Sequence, residues 1–335
     1  MIKKCIGCGI TLQWEDENKI GYIRKDKINE AKYCQRCFRL MHYNEMKYVN
    51  LPINQENILK EVNDKKYLVF FLVDLFNINK EVLKTFNKIK NNKCLVISKS
   101  DLIPKSFNLD KIKNWLCKEY KIKDKIIFLT SLKNKNINKI FQIMEDNSTK
   151  KCIFMGYTNS GKSTLLNTIT DSANKITTSM LPNTTLNFIN IYYNDYVFID
   201  TPGFTLNDKI YEDNELDFIK KINNSKFIKP SVYQMQPKTS VLIENKLRIE
   251  NLDNNNDFIF YMSNDINLNK VFENNDRLKE YALKTYHLSD NSDIVIKGLG
   301  FINVKKSSDI NIYTVNHSII EIRDSFLGSG FYEQN

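Results

Sequence analysis

The stretch "GYTNSGKST", Gly156 to Thr164, constrains this chain more than any other. It follows the apolar run "KKCIFM" and leads into "KSTLLNTI", whose apolar residues recur at helical spacing. A loop of the form G-x-x-x-x-G-K-S between a strand and a helix is a phosphate cradle. Backbone N–H groups and the helix N-terminus receive the anion. Lys162 is placed to bridge the β and γ phosphates of a nucleotide, and Ser163 to ligate Mg²⁺. Gly156, Asn159, Ser160, Gly161, Lys162, Ser163 and Thr164 are therefore candidate nucleotide contacts.

The surrounding sequence supplies the sheet that such a loop needs. Between about 55 and 225, the apolar runs "YLVFFLVDL", "KCLVIS", "KIIFLTS", "KCIFMG", "LNFINIYY" and "DYVFIDT" alternate with helical patterns. The latter include "EVLKTFNKIK", "LDKIKNWLCKEY" and "KSTLLNTIT". That alternation predicts an α/β domain with a mostly parallel, doubly wound sheet. A chain of 335 residues has room for more. Residues 1–50 are rich in cysteine and aromatics. From 230 to 335 short β-rich runs dominate, interrupted by the helical pattern "NDRLKEYALKTYH", which predicts an α+β or β-rich third domain.

Four of the seven cysteines form two C-x-x-C pairs, Cys5 with Cys8 and Cys34 with Cys37. Two residues between ligands let one tight turn present both sulfurs to a tetrahedral ion, so the four predict a closed, structural zinc site. Zinc contributes on the order of 10–16 kcal/mol in small zinc peptides, enough to fold a module with little core. Arg36, Phe38, Arg39, Tyr43 and Lys47 mix cations and aromatics as an RNA-binding face does, although a protein-docking face fits equally. The unpaired Cys94, Cys117 and Cys152 read as small core residues.

Three further motifs complete a nucleotide site. Asp200-Thr201-Pro202-Gly203 ends a strand-like run, with Asp200 placed to hold Mg²⁺ through water and the Gly203 amide to sense the γ-phosphate. "LPNTTL" lies between this motif and the phosphate loop; Thr184 or Thr185 can close over Mg²⁺ there, and Thr185 is the switch threonine we select. Ser98-Lys99-Ser100-Asp101 ends the run "KCLVIS". A carboxylate at Asp101 would accept from N1–H and the exocyclic amine of guanine, a pair that adenine does not offer, while the stem of Lys99 packs on the base. A buried acceptor of this kind rejects the wrong base because it is then left unpaired. "LTSLKN" supplies the companion loop, with the Ser131 and Leu132 backbone beside the base oxygen. The base-reading loops thus precede the phosphate loop, a rotation of the usual GTPase order.

That permuted order behind a paired C-x-x-C module resembles the YqeH family of circularly permuted GTPases. The likeness extends along most of the chain, through "CIGCGITLQ", "YCQRCFRLMHYN", "LVDLFNIN", "LPNTTL", "DTPGF" and "DIVIKGLGFI". It implies GTP and GDP as ligands, Mg²⁺ with GTP, and a part in assembling the small ribosomal subunit through rRNA. Two positions depart from the family pattern. Ser98 replaces an asparagine and is expected to weaken the tie between base loop and phosphate loop, although its hydroxyl can supply some of that bonding and guanine preference should survive with lower affinity; Asn183 replaces a glycine.

Lys162, Thr185, Asn159 and Gly203 are the catalytic candidates. Phe204 follows D-T-P-G, where the usual GTPase carries a water-orienting glutamine, so slow intrinsic hydrolysis is expected. Asn159 resembles the K⁺-binding asparagine of potassium-activated GTPases, which implies K⁺ as a source of positive charge; the alternative is that it caps the loop.

Lysine and arginine number 49 against 39 acidic residues, an excess of ten that suits an acidic partner such as nucleic acid. The longest apolar run, Leu68 to Val73, is too short to span a bilayer, and "MIKKCIGCG" has no apolar signal core. We expect a cytoplasmic protein without membrane contact, with an organellar homologue as the alternative. Competing readings are a zinc-containing, nucleic-acid-binding ATPase and a docking module whose hydrolysis is vestigial.

Overall fold

Apolar residues in the strand-like runs alternate between two destinations, and that alternation builds a sheet covered on both faces. The computed structural model describes residues 3, 5, 11–17, 21–28, 30–35, 55–104, 107–130, 136–171, 177–180, 188–212, 215–222, 227–273 and 275–327. Strands β1 (Leu68–Asp74), β2 (Lys93–Ser98), β3 (Lys125–Phe128), β4 (Lys151–Gly156), β5 (Thr177–Met180), β6 (Ile189–Tyr193) and β7 (Tyr196–Asp200) form one sheet. Their order is β3-β2-β1-β4-β7-β6-β5. The five strands from β3 to β7 in that order pair in parallel, whereas β6 pairs antiparallel with both β7 and β5. The sheet is therefore mixed but mostly parallel, and six of its strands fall on the six predicted runs. The short β5, "TTSM", has too little apolar content to announce itself.

In β1, Val69, Phe71 and Val73 enter one core while Leu68, Phe70 and Leu72 enter another. The first core is covered by helices α1 (Gln55–Lys65), α2 (Lys80–Asn87) and α3 (Leu109–Glu119), through Ile58, Val82, Phe86 and Ile112. The second is covered by α4 (Asn138–Asp146) and α5 (Lys162–Asp171), through Ile140, Met144, Leu165 and Ile169. The doubly wound expectation holds. Asparagine, so abundant here, starts two of these helices. The Asn79 side chain accepts from Val82 N at 3.1 Å, and that of Asn108 accepts from Asp110 N at 2.9 Å, each satisfying a donor that the first turn leaves free.

Chain direction fixes where a ligand can enter. The chain steps from β1 to β2 to β3 on one side, then restarts with β4 on the other side of β1. Ligands of open parallel sheets bind at such a switch point, beyond the carboxyl ends of the strands. Here those ends are Asp74 on β1 and Gly156 on β4.

Beyond α6 (Leu216–Ile222) the described residues form strands and no further α-helix. One five-stranded sheet joins β12 (Leu268–Val271), β9 (Ser240–Ile243), β10 (Leu247–Asn251), β16 (Ser308–Thr314) and β13 (Ala282–Leu288). A second joins β17 (Ile320–Asp324), β14 (Ser292–Ile296), β15 (Gly300–Val304), β11 (Asn256–Met262) and β8 (Ser231–Met235). All neighbouring strands in both are antiparallel. The two sheets share a core that includes Ile249, Phe258, Phe260, Ile294, Ile302 and Ile312.

The second sheet has no solvent face at its centre. Ile259, Tyr261, Val295 and Phe301, which alternate with the sandwich residues, pack into the same core as β1 and α2. The β-rich reading of this region holds, and the helix expected within "NDRLKEYALKTYH" is corrected. Ala282 to Leu288 is strand β13, paired along its length with β16. Leu278, Ala282 and Tyr286 have helical spacing, but most of the strand is exposed and no apolar face sets its period. Cross-strand bonds decide instead: the Thr285 hydroxyl donates to Asn311 Oδ1 at 2.7 Å, and His287 Nδ1 lies 2.5 Å from Asp309 Oδ1.

Candidate functional site

Gly156 closes β4 and turns the chain beneath the sheet edge. A Cβ there would lie 2.7 Å from both Leu72 O and Ser160 Oγ, so no side chain fits without moving backbone of β1. The loop then passes Asn159 at φ 64° and Gly161 at φ 85°, two successive left-handed positions around Ser160. Asparagine tolerates that region better than most side chains. From Lys162 the chain is helical, with Leu165 N bonded to Gly161 O at 2.9 Å.

Lys162 reaches back to the neighbouring strand. Its ammonium pairs with Asp200 at the end of β7 and donates to Thr201 O at 2.7 Å. Both charged residues are only 4 % exposed. The candidate phosphate cation and the candidate Mg²⁺ carboxylate thus meet across β4 and β7, at one end of α5. Ser163 is half-buried and Thr164 exposed in the first turn of that helix. The donor set fits a Mg²⁺-bound phosphate chain: a carboxylate at the end of β7 pairs with Lys162, and a hydroxyl residue follows Lys162 in the first turn of α5, at a helix N-terminus.

The D-T-P-G motif is joined to the phosphate loop by backbone. Phe204 N donates to Gly156 O at 2.9 Å, and Thr158 N donates to Phe204 O at 2.7 Å, placing Gly203 beside the loop. The Phe204 ring is buried edge-on to Tyr157, with centroids 5.7 Å apart. It presents no polar group to an attacking water. Tyr157 in turn bonds Thr85 of α2 through its hydroxyl at 2.8 Å, and burial pushes its phenol up to about 12.

The segment after Gly203 is fastened on several sides. Gln55 Nε2 donates to Thr205 O at 2.7 Å, and Asn207 N donates to Glu81 Oε1 at 2.9 Å. Glu81 also accepts from Lys297 Nζ at 3.2 Å, a residue between β14 and β15. Asn316 Nδ2 donates to Asp208 Oδ1 at 3.1 Å, and Ile210 N donates to Lys297 O at 3.1 Å.

The base-loop candidates lie next to the phosphate loop, as the permuted order requires. Ser98 ends β2, and its hydroxyl donates to Ser160 O at 2.6 Å and approaches Val73 O at 3.2 Å. The hydroxyl thus supplies a direct bridge between the base loop and the phosphate loop. Lys99 has φ 57° and its ammonium donates to Asp74 Oδ2 at 2.7 Å. Asp101 is half-buried in the following turn. Ser100 Oγ donates to Leu129 O at 3.1 Å and so ties this loop to the segment leading to the companion loop. Ser131, Leu132, Thr184 and Thr185 lie outside the described residues.

Two of the four cysteines are described. Cys5 and Cys34, one from each C-x-x-C pair, are buried with Leu12 and Ile23 in a small core of their own. Cys34 N donates to Cys5 Sγ at 3.1 Å, the kind of N–H···S bond that supports a metal-binding thiolate. Cys8 and Cys37 lie outside the described residues, and among the described residues no group of three or more ligating side chains assembles. Two buried thiols, one of them accepting such an N–H bond, are of a chemistry that suits zinc.

Sequence reasoning missed Asp74, Asn77 and Glu81. The one available signal was an aspartate ending the apolar run "LVFFLVD", where a buried strand meets the ligand edge.

Comparison with known proteins agrees with this geometry. Residues 68–208 match the family model described as "RsgA GTPase", and residues 151–286 match that described as "50S ribosome-binding GTPase". The Bacillus subtilis protein YqeH is 30% identical over 337 residues, covering 90% of this chain and 92% of that protein. GTPase Der of Karelsulcia muelleri is 27% identical over 252 residues, 68% of this chain and 51% of that one. The crystal structure of YjeQ from Thermotoga maritima aligns with 42% of this chain and 48% of its own at 21% identity, with a TM-score of 0.31. With the phosphate loop, D-T-P-G and base loop gathered at one switch point in permuted order, the chain belongs to the YqeH-type family of circularly permuted GTPases.

Proposed function

We propose that this GTPase is a switch that assists assembly of the small ribosomal subunit by binding rRNA or the subunit itself. The observation that carries the nucleotide half is the Ser98 bridge, which sets a guanine-reading loop directly against the phosphate loop. Asp101 accepts from the guanine edge and the Lys99 stem lies on the base. Backbone N–H groups of Asn159 to Thr164 hold the phosphates, with the Ser131 and Leu132 backbone completing the base contact. Mg²⁺ held by Ser163, Asp200 and Thr185 would neutralise charge developing on the transferred phosphate. GTP phosphates compete with Asp200 for the Lys162 ammonium, which frees that carboxylate for the metal shell.

Because Phe204 offers no polar group, extra positive charge has to come from elsewhere. Asn159 supplies a K⁺ site in this reading, and subunit docking sets the rate. The zinc module of Cys5, Cys8, Cys34 and Cys37 and the β-rich residues 230–335 supply the ribosome contacts, consistent with the excess of basic residues. One family description names the large subunit, so both subunits belong in the test.

The test measures binding and hydrolysis of GTP and ATP in K⁺ and Na⁺ buffers, then cosedimentation with each purified subunit. We expect GTP to be preferred, Asp101→Asn to lose that preference and gain xanthine nucleotides, and K⁺ to accelerate hydrolysis. GTP-loaded protein should travel with small subunits and be released steeply by salt, as phosphate contacts require. Equal GTP and ATP affinity would sink the nucleotide assignment; equal rates in the two salts would remove K⁺; cosedimentation with large subunits alone would reassign the partner.

A further inference from the structure

Asp74 stands at the carboxyl end of β1, on the switch point, and is 6 % exposed. Its Oδ1 accepts from Phe76 N at 2.9 Å and starts the single turn Leu75–Asn77. Its Oδ2 accepts from Lys99 Nζ at 2.7 Å and from Asn77 Nδ2 at 3.2 Å. Asn77 Oδ1 in turn accepts from Gly298 N at 3.0 Å, in the turn between β14 and β15. Lys99 and Asp74 line one cleft with Thr158, Asn159, Ser160 and Gly298.

A lysine stem that is to lie against a base must be held in one rotamer, and ordering a free lysine at the moment of binding costs affinity. A buried carboxylate that already grips the ammonium removes that cost. Its position is itself fixed, because the other oxygen is committed to a backbone N–H. The strand register agrees, with Asp74 opposite Ser98, the residue before Lys99.

We propose that Asp74 is a positioning residue for guanine recognition, holding the Lys99 ammonium so that the stem is set before the base arrives, with Asn77 anchoring this arrangement to Gly298. The proposal rests on Lys99 and Asp101 being the base-reading pair.

Adenine, refused by Asp101, does not seat against the lysine stem, so only guanine binding draws on the ordered Lys99. The test therefore uses the full chain and reads the ratio of GDP to ADP affinity for wild type, Asp74→Asn, Lys99→Met and the double variant. We expect Asp74→Asn to reduce the ratio about tenfold, the scale of one charge-assisted hydrogen bond. In the Lys99→Met background the same substitution should do nothing further to the ratio. An Asp74→Asn protein with the full ratio overturns the proposal, as does an equal loss in both backgrounds. A purely structural defect lowers both affinities together and leaves the ratio alone, so it counts against the proposal. Should Asp74→Asn fail to fold, Lys99→Arg takes its place. Its guanidinium still pairs with Asp74 and should keep the preference that Lys99→Met loses; equal loss in the two overturns the idea. Wild type without any GDP preference fails the base-reading assignment and the proposal with it. A wild-type preference retained in Asp74→Asn fails the positioning role alone.

Discussion

The Ser98 hydroxyl faces two backbone carbonyls, Ser160 O and Val73 O, and so holds β2, the phosphate loop and β1 at one point. A buried hydrogen bond of this type contributes about 1 kcal/mol, and its removal leaves a carbonyl unsatisfied. Ser98→Ala should lower stability by about that amount. It should also weaken GDP binding severalfold, because the phosphate loop loses its lateral support. Melting and titration of the variant check this; an unchanged midpoint and an unchanged affinity would show the bridge to be idle. At this scale the sequence was readable wherever a residue's role depends on its immediate neighbours. Gly156, Lys162 and Asp200 are recognised by the strands and turns that they end. Asp74 was not, since its partner Lys99 lies 25 positions away and the two meet only when β1 pairs with β2.

Strands β2 and β4 flank β1 at the centre of the parallel part of the sheet, and each carries a thiol in the core shared with α4 and α5. Burial pushes Cys94 up to about 12 and Cys152 well above the ordinary thiol range. The thiolate is the reactive form, so neither thiol reacts while its strand is in place. Cys117, expected from the sequence to be a core residue, instead lies exposed on α3, whose buried face is carried by Ile112 and Leu116. A thiol reagent at mildly alkaline pH should label Cys117 in the native protein, and Cys94 and Cys152 only as the protein unfolds. Mass spectrometry of time-resolved samples decides this, and early labelling of Cys152 would mean that β4 opens locally beneath the phosphate loop. Strands with two buried faces were legible as apolar runs. Strand β13 was not, because its pairing is dictated by β16 and its own residues mostly face solvent.

One hydrophobic core runs from α1–α3 through β1 and β2 to the odd-numbered residues of β11, β14 and β15. Phe301 stacks on Tyr261 with centroids 4.8 Å apart and on Phe76 at 6.5 Å. Arg323 on β17, paired with the buried Asp293, bonds to Ile78 O in the α/β part. Residues 55–327 should therefore unfold together, giving one calorimetric transition that Phe301→Ala moves as a whole to lower temperature, with a stability loss of about 3–5 kcal/mol. Two separate peaks, only one of them moved by Phe301→Ala, would contradict the shared core. The sequence divided the chain by composition and so presented a three-part string. That the third part buries a second sheet face against the middle part could not be read. The alternating residues of "DIVIKGLGFINV" are apolar on both faces, and only the folded chain shows which core each face enters.

The segment leaving Gly203 has a mechanical consequence. Of the six residues from Thr205 to Ile210, four are pinned, to Gln55, Glu81, Asn316 and Lys297. Two of those pins belong to the α/β part and two to the β-rich part. A chain so short and so often anchored has no slack. A displacement of Gly203 is therefore expected to load these pins rather than to dissipate as loop motion. The weakest of them then sets the threshold at which the rest of the molecule moves.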